Sequence, residues 1–178
     1  MTDALDATAN RLGALALRIT DRVQQVVTAD GERTPSAATA VSVIERFFVG
    51  PPRIDALRHV LGLTSSGVVR LVDVMEAEGL VTRGPADDGR VTVVALTPAG
   101  RRRARTVTDD RAAVLTDTLA TLTRAERAQL APLLDKLLIG LVRGPSPGPA
   151  LCRLCATEVC GAPRGEPCPV TVVALDIG

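Results

Sequence analysis

A chain of 178 residues with 46% hydrophobic content has the material for one compact core plus a short appendage. Its formal net charge of +1 argues against a polycation that coats nucleic acid by charge alone. Phe47 and Phe48 are its only aromatic residues, which argues against single-strand binding by base stacking.

In chain order, Leu5, Ala9, Leu12, Ala16, Ile19, Val23 and Val26 recur at alternating spacings of four and three, a heptad-like seam suited to lying along another helix. Ala38, Val41, Ile44, Phe47 and Phe48 mark a second helix, ended by Gly50-Pro51-Pro52. Ile54, Leu57 and Leu61 mark a third, and Gly62 turns the chain toward Thr64. Thr64 can cap a fourth helix, in which Val68, Leu71, Val72 and Met75 form one apolar stripe. Ser65, Ser66, Val69, Arg70 and Asp73 then project from the opposite face, and short hydroxyls with one arginine near a helix N-terminus suit a DNA major groove. Gly79 stops this helix.

Leu80 to Arg83 and Arg90 to Leu96 are β-rich runs joined by Gly84-Pro85-Ala86-Asp87-Asp88-Gly89, the pattern of a hairpin with Arg90 at its tip. An arginine so placed can enter a narrow minor groove. Thr97-Pro98 starts a further helix with cap and N1 proline in favoured positions, carrying Val107, Val114, Leu115 and Leu119. Arg83, Arg90, Arg101, Arg102, Arg103 and Arg105, against Asp87 and Asp88, suggest a phosphate-contacting stripe near the hairpin. The alternative is a solvated first turn of a helix, but cations at a helix N-terminus oppose the macrodipole, so something else should favour them there. The last helix opens on the capping box Thr123/Glu126 and carries a broad face of Leu130, Leu133, Leu134, Leu137, Leu138 and Leu141. That face is wider than one neighbour within the chain needs, so with the first helix it is material for a dimer interface. Pro132 is expected to kink it.

The pattern Gly62-Leu63-Thr64, Leu71-Val72-Asp73, Glu78-Gly79-Leu80-Val81, Asp88-Gly89-Arg90 and Leu96-Thr97-Pro98-Ala99-Gly100 resembles the MarR family of bacterial transcription regulators. The resemblance implies a mainly α fold: a winged helix-turn-helix with a small antiparallel β wing and a helical dimerisation region. It divides the chain into a core over 1–143, with a DNA-binding lobe at about 35–97 and dimerisation helices at about 3–29 and 98–143. It further implies an obligate homodimer on double-stranded DNA, often with a small-molecule effector pocket between the dimer helices and the lobe. A repressor, not an enzyme, is the expected activity. Ser65, Ser66, Gly67 and Arg70 fall on the family's reading helix, and Asp88 and Arg90 are its wing pair. Many members carry a long polar side chain where Ser65 stands and a polar residue where Val69 stands, which thins direct base readout. Val69 could still touch a thymine methyl.

Gly144-Pro145-Ser146-Pro147-Gly148-Pro149 reads as a linker, over 144–150. In the appendage at 151–178, Cys152-x2-Cys155-x4-Cys160-x7-Cys168 gathers all four cysteines of the chain. Four clustered thiols in a reducing compartment favour a shared metal over disulfides. Zinc suits four thiolates best, and can fold a tail too short for its own core. An iron-sulfur cluster and a thiol-disulfide switch stay open as alternatives, although the spacing matches neither common ferredoxin run.

His59 is the only histidine, so no Ser-His-Asp site or histidine-rich metal site is expected within a chain, and its plain reading is a packed or solvent-facing residue. Asp3, Asp6, Arg11, Arg18 and Asp21 break any early apolar run, so a cytoplasmic protein without a membrane span is expected. Two other readings compete with a DNA-binding regulator. One is an interaction protein that keeps the winged-helix shape but reads DNA poorly; the other is an iron-sulfur redox component.

Overall fold

A computed structural model of the chain describes residues 2–28, 35–85, 92–142 and 154. The elements run α1 (Thr2–Thr28), α2 (Pro35–Phe47), α3 (Ile54–Leu61), α4 (Ser65–Ala77), β1 (Val81–Pro85), β2 (Thr92–Leu96), α5 (Pro98–Ala120) and α6 (Arg124–Val142). This is a mainly helical winged helix-turn-helix with one two-stranded antiparallel sheet.

The lobe's core lies where the apolar stripes of α2, α3 and α4 meet β1 and β2. Val41, Val43, Leu57, Val68, Val72, Met75, Val81 and Val94 are all essentially excluded from solvent. Alternation works as expected in β2, where Val94 and Leu96 point inward and Thr92 outward. The strands extend differently from the sequence expectation: Gly84 and Pro85 belong to β1, opposite Val93 and Thr92, rather than to the connection. A proline is tolerated at that position because it ends a strand in a two-stranded sheet and leaves no central ladder bond unmade. On its other side β2 is tied to the segment before α3, through an Arg53–Val93 bridge and a bond from Val94 N to Pro52 O of 2.9 Å.

Helix ends follow local chemistry. After α4, Gly79 adopts φ 69°. Gly79 N donates to Glu76 O and Leu80 N to Met75 O, both at 2.9 Å, which is a Schellman close. The capping box of α6 forms as expected: Thr123 N donates to Glu126 Oε2 at 2.8 Å, and Glu126 N donates back to Thr123 Oγ1 at 3.3 Å. These bonds from the Thr123 backbone and hydroxyl hold the Glu126 carboxyl below its ordinary value of 4.5. With the folded value the lower one, this capping contribution is complete above the ordinary value and fades as pH falls through the folded value. An NMR titration of Glu126 is therefore expected to give a midpoint below 4.5, and a midpoint at or above 4.5 refutes the box.

The seam of α1 divides in two. Val23 and Val26 pack with buried Val27, Ala38 and Val107, so the second half of α1 is held by α2 and α5 of the same chain. Farther toward the N-terminus, Leu12 of the seam and its neighbours Leu15 and Leu17 are 48%, 50% and 65% exposed, apolar surface left largely uncovered. In α6 no described side chain is buried, and Leu133, Leu134, Leu137 and Leu141 stand open. Pro132 lies within α6, which is one helix on both sides of it.

Candidate nucleic-acid interface

The Thr64 hydroxyl accepts from Gly67 N at 3.1 Å and starts α4 where the sequence expects it. Glycine suits position 67, because a Cβ there would sit 3.0 Å from that same hydroxyl oxygen. Val68, Leu71, Val72 and Met75 are buried. Ser65, Ser66, Val69, Arg70 and Asp73 are exposed together on the other side, as one face of α4. Val69 is 44% exposed, apolar surface that an intrachain role would have covered.

Arg83 is the residue whose role the sequence reading missed. It leaves β1 and turns back onto α4, with Nη2 2.5 Å from Asp73 Oδ1 and 3.4 Å from Val69 O, and Nη1 3.3 Å from Glu76 Oε2. Its backbone N also donates to Glu76 Oε1 at 3.2 Å. Two carboxylates on a helix face that meets phosphates would repel them; one guanidinium bridging both cancels part of that charge and fixes wing against helix. The sequence did carry a signal: Asp73 and Glu76 share a face, and Arg83 follows the Gly79 turn. Arg83→Gln is expected to cost about 1 kcal/mol in stability, as a partly exposed network does, read as a lowered urea midpoint. An unchanged midpoint would show the contacts to be energetically idle.

The arginine stripe is thinner than the sequence suggests. Besides Arg83, Arg101 Nη1 donates to Leu96 O at 2.8 Å, and Arg103 donates to Val27 O. Val27 lies in the last turn of α1, whose carbonyls carry the negative end of a helix dipole. That gives Arg103, near the start of α5, a partner that favours its charge. Arg102 and Arg105 are exposed. Asp88 and Arg90, the expected wing pair, lie outside the described residues, as do Cys152, Cys155, Cys160 and Cys168. His59 is on the surface, with Nε2 3.4 Å from Asp55 Oδ2, in keeping with its plain reading.

The first turn of α5 locks the lobe to the helical frame. Thr97 N donates to Leu80 O at 3.0 Å, and Thr97 Oγ1 to Gly79 O at 2.7 Å. Gly100 then passes so close that a Cβ would lie 2.0 Å from Leu80 O.

Helix, glycine turn, second helix with an open polar face, and hairpin, in this order, define a winged helix-turn-helix protein. Solved structures with the same fold include a MarR family protein and a transcriptional regulator of the MarR family. The chain is similar to a MarR family protein from Bacillus stearothermophilus, with TM-score 0.70, 22% identity, and 80% of this chain and 99% of the other covered. It is similar to the YusO protein from Bacillus subtilis at TM-score 0.66 and 22% identity, over 77% and 96% of the two chains. A mutant of MepR from S. aureus, solved bound to an oligodeoxyribonucleotide, aligns at TM-score 0.58 and 16% identity, over 75% and 97%. No family model matches the chain, and no curated protein sequence does. Among the described residues no helix is long and apolar enough to cross a membrane.

Proposed function

We propose that the protein is a sequence-specific regulator of transcription, a repressor, that binds a palindromic duplex as a homodimer. The observation that carries this reading is the exposed face of α4: Ser65, Ser66, Val69 and Arg70 lie clear of the core, while Arg83 holds the neighbouring carboxylates in ion pairs. Serine hydroxyls accept from or donate to base edges and phosphates, Val69 meets a thymine methyl, and Arg70 is the side chain able to make a bidentate contact to guanine. Arg90, two residues after Asp88 in the sequence, is the arginine assigned to a minor-groove contact. A DNA-bound neighbour of the same fold supports this assignment. The partial neutralisation of Asp73 and Glu76 favours it over an interaction protein that reads DNA poorly.

The leucines left open on α1 and α6 support a second copy of the chain as partner, since an obligate interface resembles a core cut in half. A cytoplasmic location follows from this role. In the tail, the donor set Cys152, Cys155, Cys160 and Cys168 fits zinc: four thiolates make a closed tetrahedral site without an open position for a substrate. Bound zinc would supply a crosslink that orders the tail, and the thiols make that site sensitive to metal or redox state.

The test is binding to a duplex from the gene's own upstream region, followed by fluorescence anisotropy across a salt series. Arg70→Ala is expected to lower discrimination among sequences, and Arg90→Ala to weaken binding to all of them and reduce the salt slope by ~0.9. Unchanged binding in both variants sinks these roles. Protein purified without oxygen is expected to be colourless with one zinc per chain; a brown preparation absorbing in the visible assigns an iron-sulfur cluster instead.

A further inference from the structure

Between α1, α2 and α5, at the junction of the helical frame and the lobe, lies a cleft lined by Val23, Val27, Ser42, Val107 and Arg111. Leu154 of the tail lines it as well, partly buried and packed on the lobe's core. Arg111 Nη1 donates to Leu154 O at 3.1 Å, so the tail is held there by a backbone contact as well as an apolar one. With Leu154 seated, about 90 Å³ of cavity is left. That is well short of the ~300 Å³ and upward that small-molecule pockets offer.

We propose that the chain's own tail, seated through Leu154, is the internal ligand of this cleft, and so couples the cysteine segment to the packing of the lobe on its frame. Several features fit that occupant. α6 ends at Val142, twelve residues before Leu154, a stretch that can span up to ~40 Å and so turn back past α6 to the cleft. The cleft walls are apolar valines edged by hydroxyls and Arg111, which suits a leucine side chain followed by a backbone carbonyl. Cys152 and Cys155 stand two residues before and one after Leu154, so whatever orders or modifies those thiols acts on the seat directly. Where ordering the Cys152–Cys155 turn removes chain entropy, it favours seating, and by linkage the seat favours the ordered turn. A small molecule entering the cleft has to displace Leu154. The consequence for regulation rests on the DNA-binding reading; the seat itself does not.

Because the chain lacks tryptophan and tyrosine, Leu154→Trp in the full-length protein carries a single indole reporter. In metal-free, reduced protein the expected result is blue-shifted emission protected from acrylamide, with a shift to the red when Arg111→Ala is added. Emission of a solvent-exposed indole in both proteins overturns the proposal. Should the larger indole not fit, alkylation of the thiols followed by mass spectrometry gives the second measurement. Leu154→Ser is expected to speed alkylation at Cys152 and Cys155 by roughly fivefold or more relative to the parent chain. Equal rates in both proteins overturn the proposal. Neither readout uses DNA or metal, so a failure to bind either is distinguishable from a failure of the seat.

Discussion

Leu133→Asp combined with Leu137→Asp is expected to convert a stable dimer into a monomer at micromolar concentration, measured by sedimentation velocity. The two side chains lie four residues apart on α6 and are 54% and 50% exposed in the single chain. Full burial of a leucine is worth roughly 1.5–3 kcal/mol, and a two-fold interface counts each substitution twice. Each is already about half-buried in the single chain, so four leucines lost across the pair remove roughly 3–6 kcal/mol, before the cost of burying four carboxylates. At 1.4 kcal/mol per decade, that is comparable to the gap between nanomolar and micromolar association, and the carboxylates add to it. Loss of DNA binding should accompany it, since one protomer reads only a half-site. A parent protein that sediments as a single chain at the same concentration, or a double variant that keeps the parent's mass, would end the dimer reading. The same two substitutions on a face that met only water would leave both mass and melting unchanged.

Gly100→Ala is expected to destabilise the winged-helix unit by about 3 kcal/mol, seen as a fall in Tm of roughly 10 °C. Glycine at the third position of a helix is ordinarily a weak choice, and alanine there usually stabilises. Here the sign reverses, because the added Cβ would come within 2.0 Å of Leu80 O and 3.1 Å of a methyl of Leu96. The obstacle is backbone rather than a flexible side-chain end. It can move only by opening the bonds from Thr97 N and Thr97 Oγ1 that join α5 to the turn after α4. The damage therefore falls on the angle between α4 and α5, and under the proposed function DNA affinity should drop further than the stability loss alone explains. An alanine variant as stable as its parent would show that α5 shifts at no cost and that this junction is soft.

These two predictions draw on different depths of information. The open leucine face was legible in the residues themselves, because a 3.6-residue period shows itself within one helix. The Gly100 contact was not. Gly100 belonged to a motif, but its reason lies in a carbonyl twenty residues earlier that only folding brings alongside. The same division holds across the candidate interface. Thr64, Gly79, Thr97 and the Thr123/Glu126 box act on groups within a few residues, and each acts where local chemistry puts it. Arg83, Arg101 and Arg103 looked alike as charges in a row. Folding gave Arg83 to the carboxylates of α4 and Arg103 to a carbonyl 76 positions away, while Arg101 reaches Leu96 O five residues back.

By itself, then, the order of residues determined the helices and their caps, the two strands though not the end of β1, the polar face of α4 and the apolar faces of α1 and α6. Period and capping are properties of neighbours along a chain. Tertiary structure decided that Arg83 and Arg103 are committed inside the fold, that α1 is covered by its own chain at Val23, Val26 and Val27 while Leu12, Leu15 and Leu17 stay open, and that Leu154 meets the cleft beside Arg111. Each of those depends on bringing distant segments together, and the closeness that makes a hydrogen bond or a clash does not exist until the core has formed.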